Sequence, residues 1–132
     1  MNAIAAHING FQHLGLPTND LEKTIEFYEK LGFVVIRREE IPTDRVAFLR
    51  LHNMVIEAYE SKVGVSAKGF DGAIDHIALD VDDVEAVFEA VKAAGLTPMT
   101  EEIQFLPFWE NGFKYFKVLD PNNAPVEFGQ IL

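Results

Sequence analysis

The chain repeats itself, and that repeat limits the folds open to it more than any other feature. Residues 13–39, HLGLPTNDLEKTIEFYEKLGFVVIRRE, align without a gap with residues 76–102, HIALDVDDVEAVFEAVKAAGLTPMTEE, at an offset of 63. His13/His76, Leu16/Leu79, Asp20/Asp83, Glu22/Glu85, Glu26/Glu89, Gly32/Gly95 and Glu39/Glu102 are identical, while Leu14/Ile77, Leu21/Val84 and Ile25/Phe88 stay apolar. In a chain of 132 residues such a duplication predicts two copies of one supersecondary unit sharing a core, within a single domain over 1–132.

Both copies carry the same signals. A short strand over 11–16 or 74–81 leads to Asn19 or Asp82, the expected N-cap of a helix. Apolar residues then recur at helical spacing, as Leu21, Ile25 and Tyr28 and as Val84, Phe88 and Val91. Gly32 and Gly95 end the helices, because glycine takes the left-handed C′ conformation cheaply. Three strand-like runs follow in each copy, over 33–38, 46–51 and 54–59, then 97–102, 112–119 and 124–129. His52-Asn53 and Asp120-Pro121-Asn122-Asn123 are the expected turns. The fold class is therefore α+β, βαβββ twice, with a first module over 11–60, a glycine-containing linker over 61–73 and a second module over 74–130.

Composition narrows the function. With 11 Lys and Arg against 21 Asp and Glu, the formal charge of −10 repels phosphate backbones and anionic lipid, which excludes nucleic-acid and membrane partners. No apolar run approaches the ~20 residues that span a bilayer, and the first residues lack a basic-then-apolar signal pattern. The expectation is a cytoplasmic protein acting on a small molecule. Cysteine is absent, so any metal site must use His and carboxylates.

Strand alternation identifies candidates for such a site. With Leu14 and Leu16 toward the helix, His13 faces the other way; His76 does the same opposite Ile77 and Leu79. The last strand of each copy holds one acid between apolar neighbours, Glu57 between Ile56 and Ala58 and Glu127 between Val126 and Phe128. A carboxylate in such a strand is costly unless paired or bound to a cation. Two His and two Glu at duplicated positions suit one divalent ion, Zn, Ni, Co, Mn or Fe. A pair of His–Glu contacts without metal is the simpler alternative. His7, in the N-terminal tail, and His52, in a turn, stand outside the duplicated set.

These residues resemble the vicinal oxygen chelate superfamily, which includes glyoxalase I, methylmalonyl-CoA epimerase, extradiol dioxygenases and antibiotic-resistance proteins. The resemblance runs from Phe11 to Gly129, through His13, DLEKTIEFYEKLGF, Glu57, DHIALDV with His76, and DPNNAPVEF with Glu127. It implies paired modules whose eight strands form a cupped mixed sheet around a divalent metal. The order His13, Glu57, His76, Glu127 is similar to the glyoxalase I ligand set, with Glu127 then the first choice of catalytic base and Glu57 the second. Pro17 stands where bacterial glyoxalase I commonly has Arg, and Ser61 where it has Asn. The implied activity is a metal-dependent lyase or isomerase moving a proton on a small α-oxygenated carbonyl compound. An epimerase of the same superfamily and a metal-free bleomycin-resistance-type binding protein are the alternatives.

The two copies differ in length. Glu57 follows His13 by 44 residues and Glu127 follows His76 by 51, so about seven extra residues fall near FLPFWENGFKYF. Phe105, Phe108, Trp109, Phe113, Tyr115 and Phe116 concentrate there. The insert is expected to wall a substrate pocket, with Phe108 and Trp109 as apolar faces and Glu110 or Asn111 as a polar contact. An edge hairpin or subunit contact is the competing reading. Each module leaves sheet edges that one copy hardly satisfies, which favours a homodimer with modules paired within or between chains.

Overall fold

The computed structural model describes residues 3, 5–7, 13–65 and 76–132. After a short 3-10 turn at Ala5–His7, the first module runs β1 (Leu14–Thr18), α1 (Leu21–Lys30), β2 (Val34–Glu40), β3 (Asp44–Leu51) and β4 (Met54–Ser61). The second runs β5 (Ile77–Asp80), α2 (Val84–Ala93), β6 (Gln104–Leu106), β7 (Phe113–Leu119) and β8 (Pro125–Ile131). The strands form two four-stranded mixed sheets of equivalent order, β1-β4-β3-β2 and β5-β8-β7-β6. In each, the first strand pairs in parallel with the last and the others are antiparallel. The α+β class and the βαβββ duplication are as read from the sequence.

Several boundaries shift. The helix N-caps are Asp20 and Asp83, one residue beyond the expected Asn19 and Asp82, because these carboxylates accept the backbone N–H of Lys23 and Ala86. Leu21 N–H also donates to Glu60 Oε2 at 3.3 Å and Val84 N–H to Gln130 Oε1 at 3.0 Å, so each helix start is tied to the last strand of its sheet. Gly32 and Gly95 follow the helices at φ of 97° and 81°. The expected strand over 97–102 is reduced to one bridge, Pro98 to Val118, and the true edge strand begins at Gln104. Pro98 has no N–H to extend the ladder, and only Met99 N–H continues it, to Lys117 C=O. Residues 11, 12 and 66–75, which hold the starts of two expected strands and most of the linker, lie outside the described residues.

Helices cover one face of each sheet and leave the other open. Ile25, Tyr28 and Phe33 pack with Leu49, Ile56 and Ala58 in the first module; Phe88 and Val91 pack with Phe116, Val126 and Phe128 in the second. Phe116 stacks on Phe128 with ring centroids 4.9 Å apart, and Phe88 meets Phe116 edge-on at 5.0 Å. Among the described residues no helix is long and apolar enough to cross a membrane.

Beside an apolar core continuous across both modules, a polar latch joins α1 to the β7–β8 turn. Asp120 Oδ1 accepts the backbone N–H of Asn122 and Ala124, while Asn123 completes the turn at φ 63°. Asn122 then receives Asn19 N–H on its Oδ1 at 2.8 Å and donates through Nδ2 to Thr24 Oγ1 at 3.2 Å. Beneath it, the Tyr28 hydroxyl donates to Asp120 Oδ2 at 3.5 Å. Burial, then the Asp120 carboxylate, holds the Tyr28 phenol well above its ordinary value of 10.0. The unfolded chain therefore loses this proton first, and stability falls as pH rises past 10. Tyr28→Phe is expected to cost about 1 kcal/mol near neutrality, from the lost hydrogen bond, and to flatten that alkaline decline. Urea denaturation at pH 8 and pH 10.5 checks both effects.

Candidate functional site

The open face of each sheet carries one His–Glu pair. Registration sets Gly15, Glu57 and Phe48 in one cross-strand row of the first sheet. Ala78, Glu127 and Lys117 occupy the equivalent row of the second. Ile56, Ala58, Val126 and Phe128 are buried beneath the helices, which obliges Glu57 and Glu127 to project the opposite way. The small Gly15 and Ala78 clear the space beside each acid. His13 Nε2 lies 3.1 Å from Glu57 Oε2, and His76 Nε2 lies 3.4 Å from Glu127 Oε2.

The pairs are equivalent in geometry but not in surroundings. The Glu127 side chain is 11% exposed and that of Glu57 28%, so Glu127 is better shielded from water. The His13 ring meets Phe48 edge-on at 5.9 Å, whereas the second row puts Lys117 in Phe48's place. Both pairs suit a first-row divalent ion in donor chemistry. Two ligand atoms each ~2.1 Å from one ion lie roughly 3 Å apart, the spacing found here and also that of an imidazole–carboxylate hydrogen bond. Among the described residues, no three His, Asp or Glu side chains gather into one group able to hold a metal. His13 with Glu57 and His76 with Glu127 thus form two half-sets within the chain.

A cavity of about 490 Å³ opens over the second pair. His76, just before β5, lines it with Ala78 and Asp80 of β5 and with Glu127 and Gly129 of β8. Phe113, Tyr115 and Lys117 of β7 form its floor, with Phe108 and Trp109 of the insert as its wall. Trp109, Phe113 and Tyr115 run in contact, with centroid separations of 5.3 and 5.6 Å. Glu110 and Asn111 do not line the cavity: both are exposed, and Asn111 Nδ2 instead reaches the C=O of Leu132. Beside His76 and Glu127, the cavity is lined by Asp80 and Lys117, which the sequence reading passed over. Counting back from the Asp120–Asn123 turn would have set Lys117 opposite Glu127.

The family model described as the Glyoxalase/Bleomycin resistance protein/Dioxygenase superfamily matches residues 10–128. The chain belongs to this superfamily. An uncharacterized Bacillus subtilis protein, YwbC, is 28% identical over 127 residues, 89% of this chain and 94% of that one. A probable lactoylglutathione lyase of Vibrio cholerae is 37% identical over 91 residues; the match spans 63% of this chain and 64% of the relative. The crystal structure of an Enterococcus faecalis glyoxalase family protein superposes with a TM-score of 0.77 at 25% identity, covering 92% of this chain and 97% of that one. Within this superfamily fold, the His–Glu pairs of the present chain lie on the helix-free faces of its two modules.

Glycines shape the glyoxalase-like cavity unequally. A Cβ on Gly129 would overlap the Phe113 ring, which lies across that glycine, whereas a Cβ on Gly15 would meet only Tyr59 Cε1 at 3.8 Å. Gly129→Ala is expected to displace Phe113, cost roughly 1–3 kcal/mol and shift the emission of Trp109, the chain's single tryptophan. Gly15→Ala should stay within about 0.5 kcal/mol of the parent. Denaturation curves and fluorescence spectra of the two variants check the contrast.

Proposed function

We propose that the chain is a divalent-metal-dependent lyase or isomerase of the glyoxalase type, acting by proton transfer on a small α-oxygenated carbonyl compound. The observation that carries this reading is the duplicated His–Glu pair, set at equivalent strand positions on the open faces of both sheets. The likeness to a probable lactoylglutathione lyase supports the reaction class. A cavity of about 490 Å³ suits a small substrate.

His13, Glu57, His76 and Glu127 would hold the ion, one of Ni, Zn, Co, Mn or Fe, and the protein would work as a homodimer in the cytoplasm. Since each described half-set offers only one imidazole and one carboxylate, a four-donor site draws His13 and Glu57 from one chain and His76 and Glu127 from its partner. The bound cation would supply Lewis-acid polarisation of two neighbouring substrate oxygens, acidifying the adjacent C–H. Glu127 takes that proton and returns it at the neighbouring carbon, as the better shielded of the two acids. Glu57 is the second choice for that role. Phe108 and Trp109 wall one side of the cavity, and Trp109 offers a flat apolar surface to the substrate.

Protein purified without chelator or affinity tag should contain about one divalent ion per chain. Glu127→Gln should lower turnover by about 10²–10⁴-fold and slow exchange of the substrate C–H in D₂O to a similar degree. Absence of metal even after reconstitution would favour a ligand-sequestering protein of the same superfamily instead. Mixing His13→Ala chains with His76→Ala chains tests the shared site, since each heterodimer should regain one complete ligand set. Metal content that stays at the level of the unmixed variants, with heterodimers present, would place all ligands in one chain.

A further inference from the structure

Lys117 is a cation with no ionic partner among the described residues. Lys23, Lys30, Lys62, Lys92 and Lys114 each sit in an ion pair with Asp20, Glu26, Glu40, Glu89 and Glu85, respectively. Lys117 is directly opposite Glu127 in the β7–β8 ladder, yet its ammonium lies over the Tyr115 ring, 5.9 Å from the centroid. Glu127 turns instead to His76. In a chain with a formal charge of −10, acids are plentiful, so an unpaired lysine in the cavity floor is conspicuous. A half-buried ammonium gains most from a partner that arrives with the ligand, because the cavity shields both charges from water.

The duplication sharpens the point. Phe48 fills the equivalent place opposite Glu57, against the His13 ring. One half-set is therefore flanked by an apolar ring and the other by a cation. We propose that Lys117 is the specificity-determining group of the cavity, and that the substrate carries a negatively charged oxygen group, such as a carboxylate, next to its two chelating oxygens. The ammonium donates to that group while Tyr115 supports the lysine stem from below. The asymmetry orients the ligand, its anionic end toward β7 and its uncharged end toward the partner's apolar half. One lysine serves one such group; the rest of the lining is aromatic and aliphatic, with His76 and the acids Asp80 and Glu127. This proposal rests on the metal-site reading above for the position of the chelating oxygens, but the Lys117 contact itself requires no metal.

Malate and its 4-amide are the probes, since they share an α-hydroxycarboxylate head and differ only in the charge of the remote group. Trp109, in the wall of the same cavity and the only tryptophan, reports binding by its fluorescence. Titrations use the full chain with and without added Ni(II), at low and at moderate salt. The parent should bind malate about tenfold or more tighter than the amide, the scale of one charge-assisted hydrogen bond, with the gap shrinking as salt rises. Lys117→Gln should bring the two affinities together. Parent protein with no preference for malate, or Lys117→Gln that keeps the preference, overturns the proposal, as does failure of malate to bind either form. Metal content is measured on the same samples. A Lys117-dependent preference in protein that binds no metal would sink the metal reading alone, whereas full metal binding without the preference would sink only the role of Lys117.

Discussion

Because successive side chains of a strand point to opposite faces, Val126 and Phe128 can be buried beneath α2 only if Glu127 is driven to the far side of the sheet. The same holds for Ile56 and Ala58 beneath α1, with Glu57 between them. Core formation therefore delivers each carboxylate to a helix-free face as a by-product of packing. A carboxylate so placed has lost part of its hydration and needs a donor or a cation. His13 and His76, each just before the adjacent parallel strand, bring an imidazole nitrogen to 3.1 and 3.4 Å from the acid, and Gly15 and Ala78 leave space for it. Moving β4 or β8 by one residue in register would exchange core and site completely, so burial of four apolar side chains secures the position of the chemistry.

A core continuous across both modules is joined by a polar contact that fixes their orientation. The Asp120 turn satisfies its own backbone, then presents Asn122 to the Asn19 amide and the Thr24 hydroxyl, with Tyr28 donating from below. Such a contact is directional in a way that an apolar face is not, because each donor needs its acceptor at a particular angle. It joins α1 to the turn of the second module and leaves the open faces of both sheets free of it. Those faces carry the two half-sets and the aromatic cavity.

Duplication created two equivalent rows, and later divergence made them unequal. Gly15–Glu57–Phe48 and Ala78–Glu127–Lys117 share backbone geometry, so a single change at the third position converts an apolar neighbour into a charged one. The insert before β7 adds Phe108 and Trp109 over the second row only. Gly129 completes the difference by letting the Phe113 ring lie flat across β8. Among the described residues the first row gains no such wall. A scaffold built by copying a unit can in this way hold two similar His–Glu pairs in different surroundings.

The amino-acid sequence by itself determined the duplication, the βαβββ order, the glycine stops at Gly32 and Gly95, and the sidedness of His13, Glu57, His76 and Glu127. All of these follow from local period and local backbone preference, which neighbouring residues suffice to set. The helix caps fell one residue off, because Asn19 and Asp20, like Asp82 and Asp83, are both good caps and spacing alone does not choose between them. The strand expected over 97–102 failed because a pattern of side chains does not reveal how Pro98 meets a ladder. Tertiary structure alone decided that Glu110 and Asn111 stand outside the cavity that Phe108 and Trp109 line, that the Lys117 ammonium lies over Tyr115 rather than on Glu127, and that the two His–Glu pairs remain separate among the described residues. Those facts depend on distances between strands and modules remote in the chain, which residue spacing does not encode.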